Sequence, residues 1–171
     1  MPLYTRRTVL RQLSVLAALT TFTAKAGPPG ESAIPLLRKT PKEWRALLEP
    51  ARYAILFEED TERPNTSPLD QEKRDGVYIC AACFLPLFSS RAKYDSGTGW
   101  PSFFEALPDR LGTRTDYKLF YPRTEYHCIR CGGHQGHIFD DGPPPTGKRY
   151  CNNGLALLFV PEGEALPELR S

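Results

Sequence analysis

The chain has 171 residues, enough for one ordinary domain and too few for two with separate cores. With 40% apolar and 25% charged residues it is not a disordered tail, and 17 prolines with 13 glycines favour short strands and turns over a helical bundle. Residues 1–30 hold four basic groups and no acid, which leaves 18 basic against 20 acidic residues elsewhere, so the body lacks the basic footprint of a nucleic-acid reader.

The first segment in chain order reads as an address. Thr5-Arg6-Arg7-Thr8-Val9-Leu10-Arg11 precedes a mildly apolar stretch from Leu13 to Phe22, then Ala24-Lys25-Ala26, small residues two apart as at a signal-peptidase site. The paired arginines resemble a twin-arginine export signal. An amphipathic first helix or an uncleaved anchor competes with this, but the apolar stretch is short for a bilayer and ends in Pro28-Pro29-Gly30. The expectation is a signal over residues 1–26, a linker over 27–39 and a single domain over 40–171. The mature protein would be periplasmic or otherwise extracytoplasmic, with no stable membrane anchor after cleavage.

Thr40-Pro41-Lys42-Glu43 carries an N-cap, a proline at the first helical position and a capping-box acid, opening a helix through Leu48. Pro50 ends it, and Arg52 to Phe57 gives a second short helix, with Trp44, Leu47 and Leu48 as core residues. Thr61 to Pro68 is rich in turn formers. Beyond Gly76 the pattern becomes short β runs: Val77–Ile79, Tyr117–Tyr121, Thr124–Cys128, Arg149–Cys151 and Leu155–Val160. The reading is one mainly β domain of antiparallel sheets with short N-terminal helices.

Five cysteines sort into four and one. Cys80 and Cys83 form one C-x-x-C, Cys128 and Cys131 another, and Cys151 stands alone. A disulfide inside C-x-x-C closes a strained loop, whereas two such pairs supply the four thiolates of a structural zinc. The 44 residues between Cys83 and Cys128 exceed a compact zinc ribbon, so one zinc per chain would clamp distant parts of the domain. Twin-arginine export carries folded cargo, which would let the metal load in a reducing cytoplasm.

Chemistry gathers around the fifth cysteine. If Arg149 to Asn153 is extended, Arg149, Cys151 and Asn153 share a face, and a cation beside a thiol favours the nucleophilic thiolate. His134 and His137, three apart in a glycine-broken turn, suit proton donation near neutral pH. Trp100, between glycine and proline, is either a core plug or the floor of an apolar pocket. These residues leave a thiol peroxidase, an acyl-transferring cysteine enzyme and a sulfoxide reductase all open.

With these stretches, together with Thr61-Glu62-Arg63-Pro64 and Ser96-Gly97-Thr98-Gly99-Trp100-Pro101-Ser102-Phe103, the chain resembles the methionine-R-sulfoxide reductases from about Thr40 to Pro161. The resemblance implies a zinc-containing, tent-type fold of antiparallel sheets. It implies thiol-dependent reduction of methionine-R-sulfoxide, free or in oxidised proteins, to methionine. Residue by residue, it makes Cys151 the nucleophile, has His134 and His137 protonate the departing oxygen, packs Trp100 on the ε-methyl and sets Asn153 to orient the oxygen. Arg149, paired with Asp141, would favour the Cys151 thiolate. Two positions depart from the family pattern: Gln135 stands where leucine is usual, and Thr98 where many members carry a resolving cysteine. The second departure implies a one-cysteine cycle served by a thioredoxin-like envelope reductant. The rival from another class is a non-catalytic zinc-tent binding module, which has no use for Cys151, His134, His137 and Trp100 together.

Overall fold

The computed structural model describes residues 34–119 and 121–171, so the segment expected as a signal lies outside the described residues. Helix α1 spans Pro41–Leu47 and α2 spans Pro50–Glu58. The capping box at α1 forms: the Thr40 N–H donates to Glu43 Oε2 at 2.7 Å and the Glu43 N–H to Thr40 Oγ1 at 3.3 Å. Pro50 does more than end α1, since it occupies the first turn of α2, where a missing N–H costs nothing. Trp44 is buried and stacks on Phe57 at 4.8 Å between centroids, and Leu48 is buried too. Leu47, expected in the core, is 43% exposed because it sits on the outer face of a helix only seven residues long.

Among the described residues nine strands follow: β1 (Gly76–Cys80), β2 (Pro86–Ser89), β3 (Lys93–Tyr94), β4 (Ser102–Phe103), β5 (Leu111–Asp116), β6 (Arg123–Cys128), β7 (His134–Phe139), β8 (Arg149–Asn152) and β9 (Leu157–Pro161). They build a three-stranded sheet, β2-β1-β9, and a six-stranded sheet, β3-β4-β8-β7-β6-β5, with every pairing antiparallel. The mainly β fold with two short helices is therefore as the sequence implies. Tyr78, Phe88, Phe103 and Tyr126 are fully buried, with Phe88 and Phe103 stacked at 4.2 Å. That aromatic cluster draws on both sheets, since Tyr78 and Phe88 come from one and Phe103 and Tyr126 from the other. Among the described residues no helix is long and apolar enough to cross a membrane.

Three strand expectations change. Of the expected strand Tyr117–Tyr121, the described residues 117–119 and 121 lie between β5 and β6 and are not in a strand, with Tyr117 and Tyr121 largely exposed. The strand lies just upstream in polar Leu111–Asp116, an edge whose outward side chains hide it from an apolar pattern. The His134–His137 segment is not a turn: it is the first four residues of β7, where Gly136 lets two backbones meet. A Cβ on Gly136 would stand 1.9 Å from the Cys151 carbonyl oxygen. Finally, Gly154–Ala156 forms a 3-10 turn, so β9 starts at Leu157 and not at Leu155.

Candidate active site and metal centre

The two C-x-x-C segments fold alike, each from the end of a strand. After Cys80 the Phe84 N–H returns to the Cys80 carbonyl at 2.8 Å; after Cys128 the Gly132 N–H returns to the Cys128 carbonyl, also at 2.8 Å. Both returning residues have positive φ, 65° at Phe84 and 74° at Gly132, and only the second position uses glycine for it. β1 brings one knuckle from the small sheet and β6 the other from the large sheet, which closes the long sequence gap.

The four sulfur atoms lie within 4.8 Å of one another, with Cys80–Cys131 at 3.7 Å and Cys83–Cys128 at 3.5 Å. A tetrahedron with Zn–S bonds of ~2.3 Å has edges of ~3.8 Å, so the donor set fits zinc in number, type and spacing. Gln135 is fully buried and its Nε2 donates to Cys80 Sγ at 3.5 Å, so the metal knuckle touches β7 directly.

A second cluster follows from strand register. Across the large sheet Ser102 pairs with Cys151, Cys151 with His137, His137 with Glu125, and Glu125 with Arg114. Directly paired residues point to one face, so five polar side chains form a single row. Cys151, His137, Trp100, Arg123, Phe139 and Asn153 line a cavity of about 120 Å³ above that row. Trp100 is fixed there because its indole N–H donates to the Glu62 carbonyl at 2.9 Å. Gly99 before it has φ 84°, and a Cβ would strike Asn65 at 2.7 Å, so the turn presenting the indole requires glycine.

The expected site residues have distinct positions. Arg149 makes a bidentate pair with Asp141, 2.8 Å at each end, and lies over the Phe139 ring. Burial pushes the Cys151 thiol above its ordinary range; Arg149 and the Thr98 hydroxyl act in the opposite, thiolate-favouring sense and offset part of it. Asn153 is not on the strand with Arg149 and Cys151, because β8 ends at Asn152. It reaches the cavity wall from the following turn. Its Oδ1 accepts from the Glu62 N–H at 3.0 Å and its Nδ2 donates to the Gln135 carbonyl at 3.1 Å, so it ties the wall together.

The two histidines also separate. His137 lines the cavity with Cys151, whereas His134, 2% exposed, is absent from that lining and meets His137 at an adjoining groove. The His134 Nδ1–H donates to Glu125 Oε1 at 2.7 Å, and the His137 Nε2–H donates to Asp116 Oδ2 at 2.7 Å. Carboxylates only accept, so each bond fixes which nitrogen carries the proton. Glu125 is buried, which pushes its carboxyl up. Hydrogen bonds from His127 and His134, with the charge of Arg114, outweigh that and hold it at about 2. Burial lowers His137, and its bond to Asp116 works in the opposite sense.

Sequence reasoning missed Glu125, Arg123 and Asp116. Period-two reading of β6 would place Arg123 and Glu125 on one face. Asp116 gave no signal because its strand was not recognised.

The pattern of the SelR domain matches residues 48–161. The chain is similar to the peptide methionine sulfoxide reductase MsrB of Thiobacillus denitrificans, 54% identical over 125 residues that cover 72% of this chain and 95% of that protein. It is also similar to the MsrB of Methanosarcina barkeri, 48% identical over 129 residues (75% and 91%), and to that of Pseudomonas entomophila, 49% over 124 residues (72% and 95%).

Proposed function

The chain belongs to the SelR-domain family, that of the MsrB-type peptide methionine sulfoxide reductases, and we propose that the cavity between β7 and β8 is where it does this family's chemistry. Its activity is reduction of methionine-R-sulfoxide to methionine. The binding-module alternative is not favoured, because such a module needs the zinc knuckles and nothing of the polar row. The observation that carries the site is the pairing of Cys151 with His137 on one face, under Trp100.

In this reading the Cys151 sulfur attacks the sulfoxide sulfur. A transient S–S bond forms, the sulfoxide S–O bond breaks as its oxygen passes to the Cys151 sulfur, and the S–S bond then breaks to release methionine, reduced by two electrons, leaving Cys151 oxidised by two as a sulfenic acid. His137, the histidine in the cavity, protonates the oxygen in transit and is restored by the proton that the Cys151 thiol gives up, so no net proton is consumed. His134 supports the site through Glu125. Trp100 receives the ε-methyl, and Asn153 holds the wall to which the oxygen binds. Cys80, Cys83, Cys128 and Cys131 hold one zinc, which supplies a cross-link between the sheets and takes no part in the redox step.

Thr98 stands in a chain of hydroxyls, Ser102–Ser96 at 2.7 Å and Ser96–Thr98 at 2.8 Å, beside Cys151. A hydroxyl forms no disulfide, and the other four thiols belong to the metal. An external thiol therefore attacks the Cys151 sulfenic acid, releasing water and leaving a mixed disulfide, which a second thiol of the reductant resolves. Residues 1–26 export the folded protein by the twin-arginine route, so the reductant is a thioredoxin-like envelope protein. Exchange of Arg6 and Arg7 for lysine should then trap a cytoplasmic precursor, and normal export of that variant would remove the twin-arginine reading.

The site reading is tested by adding one equivalent of methionine sulfoxide without reductant. Intact mass should show one added oxygen on the wild type and none on Cys151→Ser, with zinc unchanged in both. Oxidation of Cys151→Ser by substrate would end the assignment.

A further inference from the structure

We propose that Asp116 is a positioning residue for this reduction: one oxygen of its carboxylate holds both His137 and Arg123, leaves Nδ1 as the His137 nitrogen available to substrate, and keeps that ring able to carry the proton it delivers. The inference rests on the reading of His137 as the acid.

Asp116 ends β5 and Arg123 begins β6, and the two are direct partners in register. Asp116 Oδ2 accepts from Arg123 at 2.5 Å and from His137 Nε2 at 2.7 Å, while Oδ1 accepts from the Lys118 N–H at 2.8 Å. The side chains are 10% exposed at Asp116, 13% at His137 and 20% at Arg123, so the cluster is largely removed from water. A bond at Nε2 leaves Nδ1 as the second nitrogen of a ring that lines the cavity with Cys151. To donate from Nδ1, the ring must be an imidazolium, with both nitrogens protonated.

The surroundings mostly oppose that state. Arg123 from β6 and His134 from β7 face the ring as cations or potential cations, and Arg149 on β8 flanks Cys151. Burial works in the same direction and is the largest influence on His137. Glu125, its partner in register, is already taken by His134, His127 and Arg114. Asp116 is the carboxylate in hydrogen-bond contact with His137, and it stays ionised. The Lys118 N–H is the largest cause; burial opposes, and His137 and Arg123 add to the lowering. A shared carboxylate thus lets a cation and an acid histidine sit side by side in one small cavity.

The test compares pH–rate profiles and His137 titration by NMR in wild type, Asp116→Asn, Asp116→Glu and Arg123→Gln, with zinc content confirming the fold. Reduction needs protonated His137, so the rate falls as pH rises through its pKa. Asp116→Asn should move that alkaline limb about one pH unit lower, a loss of about tenfold on the limb. Asp116→Glu should restore part of it. Arg123→Gln, which removes the competing cation, should move the limb the other way. In the wild type, ¹⁵N shifts should show neutral His137 carrying its proton on Nε2.

A limb that stays in place in Asp116→Asn, or shifts alike in Asp116→Asn and Arg123→Gln, overturns the proposal, as does an Nδ1–H tautomer in the wild type. His137→Gln separates this from the parent reading. If that variant keeps the alkaline limb, His137 is not the acid; if it loses the limb while Asp116→Asn does not move it, only the role of Asp116 falls.

Discussion

His137 and Cys151 stand directly opposite each other on β7 and β8, and the glycine preceding His137 is what allows the two backbones to meet. A Cβ at Gly136 would lie 1.9 Å from the Cys151 carbonyl oxygen and 3.2 Å from Asn152 Cα. Backbone on the other side cannot rotate away as a flexible side chain would. Gly136→Ala should therefore cost at least about 3 kcal/mol and separate acid from nucleophile, lowering kcat more than KM. Denaturant melts and steady-state kinetics check both halves; a variant with wild-type stability would contradict the register.

The metal gives a second prediction. The two knuckles come from different sheets, so the ion closes a link between segments far apart in sequence. Metal analysis should return one zinc per chain. Cys128→Ser should bind it weakly and unfold at far lower denaturant, since metal binding and folding free energy are coupled here. Zinc-free protein with native stability would contradict this.

The Glu125–His134 bond predicts how stability depends on acid. The Glu125 carboxyl is held at about 2 in the folded chain against an ordinary 4.5. A group with a depressed folded pKa contributes stability that is fully present above the unfolded value and lost as pH falls through the folded one. Wild-type stability should therefore decline between about pH 4.5 and 2 by more than that of Glu125→Gln, which should be the less stable protein at pH 7. Zinc loss in acid affects both, so the difference between the two curves isolates Glu125. Parallel curves would mean that the buried carboxylate is not held by its partners.

How far the sequence carries this account varies by residue. The capping box, the two knuckles and the Cys151 strand are local patterns with local physical causes, and each is where composition and spacing set it. The polar row is different. Membership depends on strand register, and β5 hides its register because an edge strand with one face in water needs few apolar residues. Asp116 was therefore invisible, and His134 looked equivalent to His137 although only one of them reaches the cavity. Burial had a similar effect on Cys151. The sequence shows the arginine two residues away, but not the desolvation that outweighs it.

Regeneration yields a prediction that depends on counting thiols. After one turnover without reductant, one thiol should be lost, a sulfenic acid should be trappable on Cys151, and zinc should stay bound. With a dithiol reductant present, the trapped species should be a mixed disulfide between Cys151 and the reductant. A disulfide joining Cys151 to a knuckle cysteine, with zinc released, would contradict the one-cysteine cycle.

The central claim, that this cavity reduces one epimer of methionine sulfoxide through Cys151, is tested most directly with separated epimers. Purified protein is given methionine-R-sulfoxide or methionine-S-sulfoxide in a peptide with excess dithiol, and methionine is quantified. The account predicts stoichiometric conversion of the R epimer, none of the S epimer, and no conversion of either by Cys151→Ser. Equal reduction of both epimers, or R-specific reduction that survives the loss of Cys151, would contradict it.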